Sequence, residues 1–156
     1  MNIVLLEPEI PPNTGNVARL CAATKTTLHL IEPFGFKLDD TQLKRAGMDY
    51  WQHVAWHRWK NWSAFASAHR ADAMRFWFIE SNGPKLYTEA TFSPADYLVF
   101  GRETAGVPGQ LLEQNRERWL RIPMFNKPSR SLNLSNCVAL VLFEALRQQG
   151  FKNEIR

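Results

Sequence analysis

The segment Pro11–Arg19 contains side chains that could bind a polar or anionic substrate. A helix is expected here, and Asn13 or Thr14 could cap it, because short polar side chains accept hydrogen bonds from the N–H groups of a first turn. Arg19 would lie roughly opposite the apolar stripe that starts at Val17, since successive helical residues are rotated by about 100°. Its planar guanidinium could then bind a phosphate or stabilise an oxyanion, although a solvated surface arginine fits the same pattern.

A second candidate segment, Leu98–Pro108, joins a buried strand to a loop that contains two glycines. In open α/β sheets ligands bind beyond the carboxyl ends of the strands, and Gly101 would let the backbone approach such a ligand closely. The spacing of Gly101 and Gly106 matches a phosphate-binding P-loop, but Val107 stands where that motif needs lysine, which excludes the P-loop mechanism. A plain strand-to-helix turn is the alternative interpretation.

A third segment places serines and asparagines directly before an apolar helix. It runs from Ile122–Met124 to Ser129–Asn136. Serine and asparagine commonly cap helix N-termini, but capping accounts for one or two of these residues and not for five polar residues placed among leucines.

Several common site signatures are absent from the sequence, including the dinucleotide-binding fingerprint and the nucleophile elbow. His53 and His57 lack a third ligand at a suitable spacing, so no metal site is expected. Cys21 and Cys137 form no Cys-x-x-Cys pair, which disfavours a zinc site or disulfide framework and predicts a cytoplasmic protein. No signal peptide is expected, and the longest apolar run, Val138–Phe143, is too short to span a membrane.

The order of the predicted elements indicates the fold class. The chain has 156 residues, of which 45% are hydrophobic and 22% charged, and this predicts one globular domain over residues 1–156. Strands are predicted at Ile3–Leu6, Leu28–Ile31, Met74–Ile79, Tyr97–Phe100 and Leu120–Pro123. Helices are predicted at Gly15–Thr24, Asp40–Ala46, Trp62–His69, Pro108–Asn115 and Ser135–Gln149, the last stopped by Gly150. The alternation predicts an α/β fold with a mainly parallel sheet and helices on both faces.

Charge and aromatic content suggest a nucleic-acid partner without requiring one. The formal net charge of +4 fits a polyanion such as RNA, but it also fits an ordinary basic protein. The stretch Trp51–Trp62 interleaves aromatic and basic residues, a pattern that can stack unpaired nucleotides. Packing of an edge strand and a helix is the favoured interpretation of this stretch.

Taken together, the three candidate segments resemble the SPOUT superfamily of RNA methyltransferases over essentially the whole chain. The likeness is greatest to its minimal subfamily, which acts on the wobble nucleotide of tRNA. The matching motifs are Ile3–Asn16, His29–Pro33, Arg45–Tyr50 and Ser131–Asn136. The resemblance implies S-adenosylmethionine-dependent methylation of the ribose 2′-hydroxyl of cytidine or uridine at the wobble position of the tRNA anticodon loop.

The same resemblance implies an unusual architecture. The C-terminal part would pass through a loop as a deep trefoil knot, which is rare among protein chains. The protein would form a homodimer whose active sites are shared between the two subunits. Two alternatives remain at this point: a non-catalytic RNA-binding or ribosome-assembly module of the same fold, and a small-molecule α/β enzyme without RNA affinity.

Site residues also follow from the resemblance. The residues implied to bind the cofactor are Ile79, Gly101, Ile122, Met124, Ser131 and Leu132. Those implied to be catalytic are Asn13, Arg19, Glu103, Ser131 and Asn133. Arg19 is expected to anchor a phosphate and stabilise the developing alkoxide rather than act as a base, because a guanidinium stays protonated in proteins. The general base stays open between water and a substrate phosphate.

Three positions depart from the pattern of the subfamily. Phe143 stands where a tyrosine is expected, Arg102 replaces a proline, and Ala105 replaces a basic residue. The missing phenol at position 143 leaves open any role for that hydroxyl.

Overall fold

The computed structural model describes residues 1–38, 48–126, 131–152 and 154–155, and the helix predicted at Asp40–Ala46 lies outside them. Within these ranges the strands are β1 (Asn2–Leu6), β2 (Thr27–Ile31), β3 (Trp56–Trp59), β4 (Phe76–Ile79), β5 (Lys85–Leu86), β6 (Tyr97–Phe100) and β7 (Trp119–Arg121). The α-helices are α1 (Pro11–Thr24), α2 (Trp62–Ala68), α3 (Gly109–Gln114) and α4 (Leu134–Gln148). Short 3-10 helices span Met48–His53, Arg70–Arg75, Tyr87–Glu89 and Arg116–Arg118.

The seven described strands form one sheet in the order β3-β2-β1-β6-β4-β7-β5, and every pair is parallel. The register pairs Leu5 with Phe100 and Ile79 with Phe100, so β1, β6 and β4 end at the same edge of the sheet. The loops that follow these strands therefore meet at one place, which is where ligands bind in parallel sheets.

Alternate residues of the central strands point to two separate apolar cores, as the period of two in a strand requires. On one face Ile3, Leu5 and Leu98 pack in the same cluster as residues of α1 and α4. On the other face Val4 and Val99 pack in the same cluster as residues of α2 and α3. The predicted α/β fold, with a parallel sheet and helices on both faces, is confirmed.

The start of α1 differs from the prediction. The helix begins at Pro11 rather than Gly15, its N-cap is Ile10, and no side chain caps it. Asn13 and Thr14 lie buried inside the first turn instead, so their prediction as caps is wrong. Two prolines at the first helical positions explain the difference, because proline lacks the N–H that a cap would satisfy and its φ angle already suits a helix.

Other boundaries shift by one or two residues. The strand predicted from Met74 begins at Phe76, because Arg70–Arg75 forms a 3-10 helix. Helix α4 ends at Gln148, one residue before the predicted end, and a turn follows in which Gly150 has a φ of 69°. Strand β6 has the predicted bounds.

The aromatic and basic stretch Trp51–Trp62 contributes to packing. It contains the edge strand β3 and the first residue of α2, and the rings of Trp51 and Trp56 lie 4.6 Å apart. Trp59 donates from Nε1 to Nδ1 of the buried His29 over 3.1 Å. Burial, followed by the nearby charges of two other histidines, lowers the pKa of His29 to about 3. The interpretation of this stretch as edge-strand and helix packing is confirmed.

Candidate active site at the carboxyl end of the sheet

A cavity of about 850 Å³ lies where the loops after β4, β6 and β7 meet the start of α4. All residues that the motifs implied for cofactor binding line it: Ile79, Gly101, Ile122, Met124, Ser131 and Leu132. The implied catalytic residues Asn13, Glu103 and Asn133 line the same cavity, whereas Arg19 does not. Three chain segments that are far apart in sequence are thus brought to one site.

Strand ends explain how these side chains reach the cavity. Ile79 is the last residue of β4, Gly101 directly follows β6, and Ile122 directly follows β7. Because the three strands are neighbours and parallel, the residues at their carboxyl ends share one edge of the sheet. Ser131 and Leu132 approach the cavity from the connection to α4.

A chain of side-chain hydrogen bonds joins the three polar residues of the site. Asn13 donates from Nδ2 to Oε1 of Glu103 over 3.2 Å, and Asn133 donates from Nδ2 to Oδ1 of Asn13 over 2.8 Å. Asn13 is only 5% exposed, so these bonds hold its amide in one orientation.

Asn133 also caps the last helix. Its Oδ1 accepts from the backbone N–H of Ser135 at 2.9 Å and from the Ser135 hydroxyl at 2.7 Å. Asn133 therefore couples the start of α4 to the start of α1. The polar residues before α4 thus include a helix cap, as their composition suggested. The same residue, Asn133, also belongs to the hydrogen-bond chain with Asn13 and Glu103.

Glu103 attaches the loop after β6 to the start of α1. Its carboxylate accepts from the backbone N–H groups of Glu9 at 2.9 Å and Ile10 at 3.2 Å. A negative charge at this point is favourable because the N-terminal end of a helix carries a partial positive charge. The carboxylate thus satisfies two backbone N–H groups directly before the prolines of α1, at a helix start that no side chain caps.

A reciprocal set of bonds holds the same two segments together. The carboxylate of Glu9 accepts from the backbone N–H and the hydroxyl of Thr104 at 2.8–2.9 Å. These bonds are the main reason that the pKa of Glu9 is lowered, with a smaller contribution from Arg102. Arg102 lies 3.2 Å from Glu7 and 3.6 Å from Glu9, so its guanidinium bridges two carboxylates of the β1–α1 connection.

Gly101 is required by the loop itself. The loop folds back on itself through two backbone bonds between Arg102 and Gly106, of 2.8 Å and 3.2 Å. A Cβ at position 101 would overlap the backbone of Gly106 and Val107. From the sequence we expected the missing side chain of Gly101 to make room for a ligand. In the structure it makes room for the backbone of Gly106 and Val107.

Glu80 belongs to the site although no motif singled it out. It directly follows β4, and its carboxylate accepts from the backbone N–H of Val107 at 3.1 Å and of Ser81 at 2.7 Å. Its own N–H donates to the carbonyl of Leu120 in β7 at 2.9 Å. Glu80 therefore connects the loops after β4 and β6 to strand β7. Its position at the carboxyl end of a buried strand was the available signal.

Arg19 and Ser131 differ from the rest of the predicted set. Arg19 lies on the exposed face of α1, as the helical spacing predicted, and outside the residues that line the cavity. Ser131 lines the cavity, and its hydroxyl makes no hydrogen bond to another described residue. The structure thus places four of the five implied catalytic side chains at one cavity and one on an outer face.

The described residues hold no group of three or more metal-binding side chains, and none of their helices is long and apolar enough to cross a membrane. Cys21 and Cys137 are both free thiols, and burial raises the pKa of Cys21 to about 12.

Comparison with known families identifies the family of the chain. The model described as the SpoU rRNA Methylase family matches residues 1–143. The chain belongs to this family. The resemblance inferred from the motifs is thereby confirmed, and SpoU methylases use S-adenosylmethionine.

Individual SpoU relatives cover nearly the full length of the chain. A tRNA (cytidine(34)-2′-O)-methyltransferase of Saccharophagus degradans is 51% identical over 153 residues, which are 96% of each chain. A solved structure that gives insights into the 2-OH methylation of C/U34 on tRNA has a TM-score of 0.89 and 44% identity, and the match covers 96% of each chain. An AdoMet-bound rRNA methyltransferase from Sinorhizobium meliloti has a TM-score of 0.82 and 25% identity, over 94% of this chain and 55% of that one.

Proposed function

We propose that this SpoU methylase transfers a methyl group from S-adenosylmethionine to the ribose 2′-hydroxyl of the wobble nucleotide, cytidine or uridine, in the anticodon loop of tRNA. The observation that carries the proposal is the hydrogen-bond chain Glu103–Asn13–Asn133 on the wall of the cavity. It gives a fixed polar surface beside a space large enough for a cofactor. The name of the Saccharophagus degradans relative, a tRNA (cytidine(34)-2′-O)-methyltransferase, supports the choice of substrate.

The residues present fit S-adenosylmethionine. A cavity of about 850 Å³ lies within the range of roughly 300–1,000 Å³ typical of ligand sites. Apolar side chains of Ile79, Ile122 and Leu132 suit the faces of an adenine ring, with Met124 and Ser131 beside them and the backbone at Gly101 available for its polar edge. The bound cofactor supplies an electrophilic methyl group on a sulfonium.

The polar residues orient the substrate. Ser131 and Asn133 hold the ribose hydroxyl next to the cofactor site, and Glu103 keeps the loop after β6 attached to α1. The guanidinium of Arg19 binds a substrate phosphate and stabilises the negative charge that develops on the hydroxyl oxygen. The proton of that hydroxyl passes to water or to a substrate phosphate.

The working form is a homodimer with shared sites. Apolar side chains at Ile10 on the connection to α1, and at Leu140 and Phe143 on α4, are 42–49% exposed in the single chain. Helices α1 and α4 pack against each other, so these residues can form one self-complementary face. We infer that this pairing places Arg19 of one copy at the cavity of the other, because Arg19 lies outside the cavity of its own chain.

Residues 1–156 form a single domain that acts in the cytoplasm, with a trefoil knot in the C-terminal part. The strand order supports this knot. Strand β7 lies between β4 and β5, which precede it in the chain, and α4 then packs against α1 and β6, as a chain threaded through an earlier loop would. The hydrogen bonds of Glu80 to Val107 and Leu120 lie where the threaded loops would meet.

The proposal is tested by incubating the purified protein with S-adenosylmethionine and unmodified tRNA transcripts, then cleaving the RNA to oligonucleotides and sequencing these by tandem mass spectrometry. We expect 2′-O-methylcytidine or 2′-O-methyluridine at position 34 alone. RNA binding and cofactor binding without methyl transfer would instead indicate the non-catalytic module, and absence of RNA affinity would indicate a small-molecule enzyme.

A further inference from the structure

A second cavity, of about 440 Å³, lies on the other face of the loop that follows β6. Its apolar surface comes from Leu6, Trp62 and Leu111, which belong to or pack against the apolar core that also contains Val99. Arg102, Ala105 and Gly106 line both cavities, so only this loop separates them. An occupant of the second cavity would therefore lie close to the reacting groups.

The walls of the second cavity combine a rigid aromatic ring with polar amides. The ring of Trp62 is held by Phe65, Phe76 and Phe78, whose centroids lie 5.3–5.9 Å from its own. Gln110 and Gln114 are four residues apart on α3, which puts both amides on one side of that helix.

The two amides are available to a ligand. Neither the Gln110 nor the Gln114 side chain hydrogen-bonds to any residue within the described ranges, and both residues are exposed. An amide offers both donors and an acceptor, so the pair can read the edge of a heteroaromatic ring.

The charges around the cavity do not favour a phosphate. Its one arginine, Arg102, is already bridged to Glu7 and Glu9, and Glu7 itself lines the cavity. What remains is an apolar surface with an aromatic ring and uncharged hydrogen-bonding groups. Proteins that recognise single-stranded RNA bind splayed-out bases in this way, by stacking on aromatic or arginine planes and by hydrogen bonds to the base edge.

We propose that the second cavity binds one unpaired nucleobase of the RNA substrate, adjacent to the nucleotide whose ribose enters the active site. This inference rests on the proposed function, since it requires an RNA substrate with an unpaired loop. The bound base would set the register of the loop and contribute to the choice of substrate.

The test uses the double variant Gln110→Ala/Gln114→Ala, with Gln52→Ala, an exposed glutamine elsewhere, as the matched control. Affinity for an anticodon stem-loop is measured by fluorescence anisotropy for the intact RNA and for RNAs made abasic at each loop position in turn. Methyl transfer is measured on the same RNAs, and S-adenosylhomocysteine affinity by calorimetry.

We expect the double variant to bind intact stem-loop about tenfold more weakly, within the range of one lost base contact. The wild-type protein and the double variant should bind equally well to one particular abasic RNA, with cofactor affinity unchanged. The inference would be overturned if the double variant bound every abasic RNA more weakly than the wild type by the same factor. It would also be overturned if the double variant bound every RNA, including the intact stem-loop, as tightly as the wild type. If the wild type binds the stem-loop without methylating it, the proposed function fails while the base site is still measured, and no RNA binding by the wild type overturns both.

Discussion

Asn133 donates a hydrogen bond of 2.8 Å to Asn13, a residue 120 positions earlier in the chain. Asn13 in turn donates to Glu103, so a single amide connects the first helix, the loop after β6 and the cap of the last helix. The bond explains why three short motifs, each compatible with ordinary capping or turn formation, belong to one site.

Replacing Asn13 with alanine should break this connection at its centre. The change leaves the exposed Asn133 and the half-buried Glu103 each without one hydrogen-bond partner, and we expect a loss of stability of about 0.5–1.5 kcal/mol. Loss of orientation should lower kcat by about tenfold to a hundredfold with little change in cofactor affinity. Urea unfolding and steady-state kinetics measure the two effects, and Asn136→Ala, an exposed asparagine on α4, serves as control. Equal kinetics in the two variants would contradict the role of the network.

Gly101→Ala should abolish cofactor binding by distorting the loop after β6. The added Cβ overlaps the backbone of Gly106 and Val107, which cannot move aside as a flexible side chain could. The matched control is Gly150→Ala, outside the cavity, where a Cβ meets nothing within 4 Å although the φ of 69° strains the backbone. Calorimetric titration with S-adenosylhomocysteine should show a loss of at least about tenfold for the first variant and none for the second. Normal S-adenosylhomocysteine affinity of Gly101→Ala would show that the loop after β6 tolerates a Cβ at position 101 without harm to the cofactor site.

Much of the fold could be predicted because the central strands are short buried apolar runs. Tyr97–Phe100 is buried at all four positions and bounded by polar or glycine residues, and its predicted bounds agree with the structure. An edge strand was expected within Trp51–Trp62, but the bounds of β3 were not predicted, because its residues Trp56–Trp59 are half-buried or exposed and carry no apolar run. Strand β5 has two residues, too few for a periodic pattern.

The residues of the candidate site could not be grouped from their spacing in the sequence alone. Asn13, Glu103 and Asn133 are far apart in the chain, and only resemblance to a known family grouped them before the structure did. Glu80 was missed because its role depends on the approach of Val107, a tertiary contact that no local pattern encodes. The cap assigned to Asn13 or Thr14 failed because the two prolines begin the helix earlier and place both residues inside its first turn.

Stability should fall as the pH is lowered below about 6.5, in part because of His29. The pKa of His29 is lowered to about 3 by burial, followed by the charges of His57 and His69, so between about 3 and 6.5 the unfolded chain binds a proton that the folded chain does not. Stability therefore rises with pH through this window, by at most ~1.4 kcal/mol per pH unit for one group. Urea unfolding at several pH values should show a flatter dependence for His29→Gln than for the wild type or for His53→Gln. Identical slopes in all three would contradict this assignment.

A mixed dimer tests whether the active site is shared. One subunit carries Arg19→Ala and the other Gly101→Ala, and each variant is first checked to be folded and dimeric. If Arg19 serves the partner's cavity, both homodimers are inactive, while the mixed dimer keeps one intact centre and about half of the wild-type activity, because a two-fold interface has two equivalent sites. Complete inactivity of the mixed dimer would place Arg19 and the cofactor cavity of each working centre in a single chain.

Two anticodon stem-loops that differ by one oxygen atom test directly whether the ribose of the wobble nucleotide is methylated. One carries the ribose 2′-hydroxyl at position 34, and the other carries 2′-deoxyribose there. With labelled S-adenosylmethionine, we expect one methyl group on the first RNA and none on the second, with both RNAs bound comparably. Methylation of the deoxy substrate at any position, or equal labelling of both RNAs, would contradict ribose methylation at the wobble nucleotide.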